Sequence, residues 1–172
     1  TAVVDSRAEI DSEVEIGPYV VIDGPVKIRR GTPIMAHAYL TGWTEIGENN
    51  EIHPGAIVGG APQDKAYQGQ ESYLTIGNHN VIREHAQVHR GTAPNSSTII
   101  GNHNYLMATS HVGHNCKLGD NIVMANGALL GGYVDVGNSV FISGNCVVHQ
   151  FIRIGEHAMM RGLSGTSRDV PP

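Results

Sequence analysis

Rings are scarce in this chain. Phe, Trp and Tyr together make up 5% of its 172 residues. That is too few to fill the core of a bundle or sandwich of this size, so the interior must be built from aliphatic side chains. Cysteine is scarcer still: Cys116 and Cys146 cannot make a disulfide framework, which favours a reducing compartment. There is no basic excess, with 11 Lys and Arg against 16 Asp and Glu and a net charge of −5. A protein with no cationic surplus to displace phosphate counterions is a poor partner for nucleic acid. No apolar run approaches the roughly 18 to 20 residues of a membrane span. The opening stretch "TAVVDSRAEIDSEVEIG" carries charges where a signal peptide would be apolar. A soluble, cytoplasmic protein without an integral membrane segment is the expectation. The chain opens on Thr1 rather than Met and is expected to start slightly inside its gene.

Glycine is plentiful instead, at 22 residues, as are aliphatics arranged with a period of six. Stepping by six from Val4 gives Ile10, Ile16, Ile22, Ile28, Ile34, Leu40 and so on to Met160. Every slot is aliphatic or Met except Asp64, Gln70 and Pro94. A helix repeats every 3.6 residues and an ordinary strand every two, so neither yields a strict six. The slot two residues earlier is mostly small or β-branched, as at Ala38, Ala56, Ala86, Cys116, Ala128 and Cys146. Both cysteines therefore read as packing atoms rather than nucleophiles. Gly, Asn or Asp often follows the aliphatic residue, in "IGNHN" and "LGDN" for example, and these residues tolerate the positive φ of a tight corner. Three six-residue sides close a coil of eighteen. The prediction is an all-β fold, a triangular parallel β-helix of about nine coils spanning residues 1–172, with rungs roughly 4.8 Å apart. Two interruptions, "GGAPQDKAYQGQESY" (59–73) and "GTAPNSS" (91–97), read as loops leaving the prism, where function tends to sit.

With eighteen residues per coil, His114 lies beneath Gly132, which lies beneath Gln150. The stretch "SHVGHNCKLGDN" sets His111 on a strand, facing outward, and His114 at the following corner. The two are not expected to share a side-chain direction, so chelation of a metal by this pair is awkward and no metal is assigned. A corner imidazole beside a bare glycine N–H suits a general base with an oxyanion donor, which points to acyl transfer.

The stretches "QDKAYQG", "IREHAQVHRGT", "HVGHNCKLGDN", "GGYVDVG", "VHQFIRIGEHAMM" and "DVPP" carry a family resemblance over nearly all 172 residues. In order and spacing they are similar to those of the hexapeptide-repeat UDP-N-acetylglucosamine O-acyltransferases, which open lipid A synthesis. The resemblance implies a left-handed β-helix, a hand contrary to the usual crossover rule. It also implies transfer of an acyl chain from acyl-carrier protein to the sugar 3-hydroxyl, without cofactor, in a homotrimer whose clefts lie between subunits. Residue by residue, it makes His114 the base and Gly132 the oxyanion site. It assigns Asp64, His89, His111, His149 and Gln150 to the nucleotide sugar, and places Gly162, beside Met159, Met160 and Arg161, where acyl length is set.

Departures from the family are equally specific. Asn115 stands where the family usually has Asp after the catalytic His; an amide can orient an imidazole but brings no charge. "QDKAY" puts Lys65 one place before the family's loop lysine, and Tyr133 stands where His is common. The resemblance implies a helical domain after the coils, which is not expected within these 172 residues. Arg153, Arg161 and Arg168 form a candidate basic face for the acidic carrier. Three rival readings compete with it: the related UDP-glucosamine N-acyltransferase, whose separate amino-terminal domain is disfavoured by coils starting at residue 4; a zinc β-helix enzyme of carbonic-anhydrase type, suggested by ten His; and an ice-binding or scaffold β-helix, which would need a regular Thr-x-Thr face.

Overall fold

The computed structural model describes residues 1–172. It has 23 short strands, no helix, and three all-parallel sheets of nine, eight and six strands. These are the walls of a left-handed parallel β-helix. The first wall runs from Val3–Val4 to Gly165–Thr166, the second from Glu9–Ile10 to Arg153–Ile154, and the third from Glu51–Ile52 to Met159–Met160. Isolated bridges from Ile16 to Ile34 and from Ile34 to Ile52 continue the third wall downward. Val3 pairs with Val21 and Leu129 with Val147, so coils stack in the expected register of eighteen.

A triangular interior this narrow admits aliphatic side chains and little else. The largest fully buried residues are all Ile or Leu, among them Ile22, Ile46, Ile76, Ile100 and Leu106, within one core of 35 residues. Each such side chain contributes about 1.5–3 kcal/mol by leaving water. Rings stay outside, with Tyr19, Phe141 and Phe151 exposed. Cys116 and Cys146 are buried and unpaired, and burial pushes the Cys116 thiol up to about 12, which makes it inert at neutral pH.

Corners differ from expectation in an instructive way. The glycine that follows the aliphatic residue of the second wall from Ile46 to Ile154, as at Gly77 and Gly101, is not in the left-handed region. A Cβ at Gly77 would stand 2.6 Å from the carbonyl oxygen of Gly101, so glycine is needed there for close coil approach. The left-handed residue falls two places later, and it is often not Gly, Asn or Asp. His37, His79, His85, His103 and His157 all hold φ between 56° and 62°. Five of the ten histidines are thus corner residues, which accounts for much of that abundance without chemistry.

Inside the prism an unforeseen polar ladder climbs the corner before the third wall. Asn80 donates its N–H to Asn50 Oδ1 at 2.8 Å, Asn104 donates to Asn80 Oδ1 at 2.9 Å, and Ile122 to Asn104 Oδ1 at 2.8 Å. Their side-chain amides donate in turn to the carbonyls of Gly77, Gly101 and Gly119. These asparagines occupy the small inward slot of the repeat, where they satisfy backbone groups that water cannot reach.

The register lengthens twice. Ile57 pairs with Gln87, and Gln87 with His111. The extra residues form loops 61–72 and 90–96, which contain the three slots that break the repeat, Asp64, Gln70 and Pro94. Both loops leave the edge between the first and second walls. His114 lies on that same edge, between His111–Val112 and Lys117–Leu118.

Candidate active site

Column stacking at this edge is direct. Tyr133 N–H donates to His114 O at 2.9 Å and Phe151 N–H to Gly132 O at 3.0 Å, so the turns at residues 114, 132 and 150 lie one above another. The His114 ring lies flat against Gly132: a Cβ there would stand 2.5 Å from both Cε1 and Nε2 of the imidazole. Only glycine leaves room for it. Gly132, in a turn between strands, donates its N–H to no protein acceptor. A cleft of about 410 Å³ opens over this point, lined by His89, His111, His114, Gly132, His149 and Gln150 among others.

The tautomer of His114 follows from its neighbours. Asn115 Oδ1 accepts the Thr92 backbone N–H at 2.9 Å, which identifies that atom as oxygen. The same oxygen lies 3.1 Å from His114 Nδ1, so Nδ1 must be the donor. Nε2 is left with its lone pair, on the side of Gly132. Asn115 is buried, its own N–H donating to Thr98 Oγ1 at 2.8 Å, and its φ of 61° suits asparagine. Tyr133 closes the other side with its ring edge-on at 5.4 Å.

Two further imidazoles are pinned the same way. His89 Nδ1 donates to Ala61 O at 2.8 Å and His149 Nδ1 to Gln150 O at 3.2 Å. Both thus keep an accepting Nε2, and that of His89 is buried with no protein partner. The rings of His89 and His111 pack at 4.9 Å. Burial holds both below the usual imidazole range, that of His111 at about 4, so both are neutral at pH 7. The walls of the cleft therefore present hydrogen-bond acceptors rather than cations.

Several expectations need correction. His114 is not an exposed corner residue: its imidazole is 13% exposed, covered by the loops and Tyr133. His111 and His114 do converge on one cleft, because the bare Gly132 lets the corner ring lean back over the first wall. Met160 points into the core and cannot line a ligand path, whereas its neighbour Met159 is 70% exposed on the third wall. Gly162 lies at the opposite edge of the first wall, where a Cβ would meet Gly144 O at an ordinary 3.5 Å. Lys65 is exposed and outside the lining of the cleft.

Sequence reasoning missed Thr92 and Gln63. Gln63 lines the cleft, and Thr92 donates its hydroxyl to Asp64 Oδ2 at 3.1 Å as well as its N–H to Asn115. Asp64 also accepts the Ala66 N–H at 2.9 Å, and its Oδ2 stands 3.8 Å from His114 Nε2. The Ala66 N–H first, then Thr92 and His114, hold the Asp64 carboxyl below its ordinary range. Arg90, buried under the first loop, lies over the Trp43 ring and donates to Gly59 O and Tyr67 Oη, which ties the loop down. "VHRGT" advertised this arginine, but nothing local in sequence says where it reaches.

Residues 97–132 match the family described as bacterial transferase hexapeptide, six repeats. The chain is 47% identical over 173 positions to the acyl-[acyl-carrier-protein]–UDP-N-acetylglucosamine O-acyltransferase of Thermodesulfovibrio yellowstonii, covering 100% of this chain and 67% of that one. Its likeness to the enzyme of that name from Herminiimonas arsenicoxydans is 45%, covering 66% of the relative. Among solved structures, the UDP-N-acetylglucosamine acyltransferase of Francisella novicida superposes with a TM-score of 0.96 at 38% identity, over 99% of this chain and 63% of that one. LpxA from Acinetobacter baumannii gives 0.95 at 44%, over 99% and 66%. The chain thus spans about two thirds of the length of the relatives it matches.

Proposed function

The chain belongs to the acyl-[acyl-carrier-protein]–UDP-N-acetylglucosamine O-acyltransferase family, and from that premise we propose that it moves an acyl chain from acyl-carrier protein to the 3-hydroxyl of UDP-N-acetylglucosamine. The observation that carries the mechanism is the imidazole lying on bare Gly132 with Nε2 unprotonated. Nε2 takes the hydroxyl proton as the sugar oxygen attacks the thioester carbonyl. The Gly132 N–H, free of protein acceptors, donates to the oxyanion of the tetrahedral intermediate. Collapse breaks the C–S bond, and the departing thiolate takes the proton from Nε2.

The nucleotide sugar offers hydroxyl and amide donors, and the cleft offers accepting imidazoles at His89 and His149, with His111 and Gln150 beside them. Lys65, exposed next to Asp64, is assigned to the diphosphate. The acyl chain runs across the first wall over the exposed Leu129 and Val147 towards Gly162 and Met159. Met160 is withdrawn from that role by its burial. No cofactor enters this chemistry. The active form is a cytoplasmic homotrimer with the cleft completed by a neighbouring copy, and Arg153 and Arg168, adjacent at the top of the second wall, face the acidic carrier, whereas Arg161 follows the third wall at another edge. No helix is long and apolar enough to cross a membrane.

The test is an acyl-transfer assay with UDP-N-acetylglucosamine and a panel of acyl-carrier proteins of graded chain length. A 3-O-acylated nucleotide is expected, with one length preferred. No acylated nucleotide from any donor overturns the reading.

A further inference from the structure

We propose that Asp64 is the counter-charge of the His114 imidazolium in this protein, doing what Asn115, a neutral amide, is unable to do. The inference rests on the acyltransferase reading for its purpose but not for its geometry. Asn115 settles the tautomer and contributes no charge. Asp64, from the first loop, is the only carboxylate within 4 Å of the ring. Its Oδ2 stands 3.8 Å from Nε2, too far for a hydrogen bond, so it leaves the basic lone pair free for the sugar hydroxyl. Once the proton arrives, the same separation becomes an ion pair in a mostly covered site.

Nothing else near the ring does this. His89 and His111 are neutral, Tyr133 meets the ring through its edge, and Arg90 is engaged by Gly59 and Tyr67 beneath the loop. Asp64 itself is held anionic by two donors, the Ala66 N–H and the Thr92 hydroxyl. Thr92 is the joint of the arrangement: one residue of the second loop fixes Asn115 through its N–H and Asp64 through its hydroxyl. In the reaction the carboxylate neither gains nor loses a proton. The hydroxyl proton goes to Nε2 and from there to the leaving thiolate, and Asp64 stabilises only the interval in which the ring is charged.

The experiment is an NMR titration of the free protein with labelled imidazole and Asp carboxyl carbons. Asp64→Asn retains an oxygen for the Ala66 N–H, so the loop is expected to stay in place. The proton affinity of His114 falls about three- to tenfold. The coupling is reciprocal. His114 is one of the groups that lower the Asp64 carboxyl, so His114→Gln weakens the acidity of Asp64 by a similar factor, and this second variant leaves the loop untouched. In turnover, the acid limb of the kcat/KM profile of Asp64→Asn moves to lower pH along with the imidazole. If either titration is unmoved, and Asp64→Asn merely raises KM, Asp64 is a substrate contact and the inference is overturned. The titrations need no substrate, so a protein inactive in every acyl-transfer assay can still pass them, and an active one can fail them.

Discussion

At the scale of single residues, the site depends on an absence as much as on a presence. Gly132 is required because the imidazole occupies the space a Cβ would take. Gly132→Ala is therefore expected to push the ring off its acceptor Asn115 and lower turnover by about tenfold to a thousandfold. Its added methyl faces the cleft rather than the core, so the melting temperature should stay within a few degrees. Paired kinetics and thermal melts check this, and wild-type turnover would show that the ring does not need that seat. The pairing of 114 with 132 was legible in the sequence, because counting by eighteen is enough to find it. The approach of Asp64 was not. Its slot in the repeat is lost in a loop, and the distance of that loop to Nε2 depends on Thr92, a residue with no periodic signature. Burial of His114 was misjudged for the same reason, since the loops that cover it are outside the repeat.

Among the elements, strands of two to four residues would not persist singly, and their pairing from coil to coil maintains them. The strict six made the walls, the core and the absence of helices readable before any coordinates. It did not reveal the asparagine ladder, because Asn50, Asn80 and Asn104 sit in a slot that is elsewhere mostly small or β-branched. Their side chains substitute for corner hydrogen bonds rather than filling volume. Asn80→Ala removes an amide that serves Asn50, Asn104 and Gly101 at once. It should cost about 1–3 kcal/mol, read as a lower urea midpoint. An unchanged midpoint would mean that water reaches the ladder. The loops tell a complementary story, since Pro94 and Gln70 marked their positions while the clamp of Arg90 on Tyr67 came only with the fold.

For the whole molecule, the first and third walls carry most of the exposed apolar side chains, with Ile99 alone on the second. Leu129 and Val147 stand out from the first, Phe141 and Met159 from the third, and Leu163 projects near the edge where the walls meet. A ring of three copies that lays one wall against another covers both at once, and such a head-to-tail contact closes without leaving an open face. Light scattering at micromolar concentration should return three times the 18.3 kDa of a single chain. A single-chain mass would remove the shared cleft from the proposal.

The coil has one more consequence, which concerns where evolution is free to write. All the chemistry named above, from Asp64 through His89, His114 and Gly132 to Gln150, is confined to a few adjacent storeys, about 20 Å of the prism's height at the spacing of paired strands. The turns beneath Ile57 serve as a plinth. Their residues answer to packing, Trp43 beneath the Arg90 clamp included, whereas the storeys above must keep both their place in the stack and their part in the reaction.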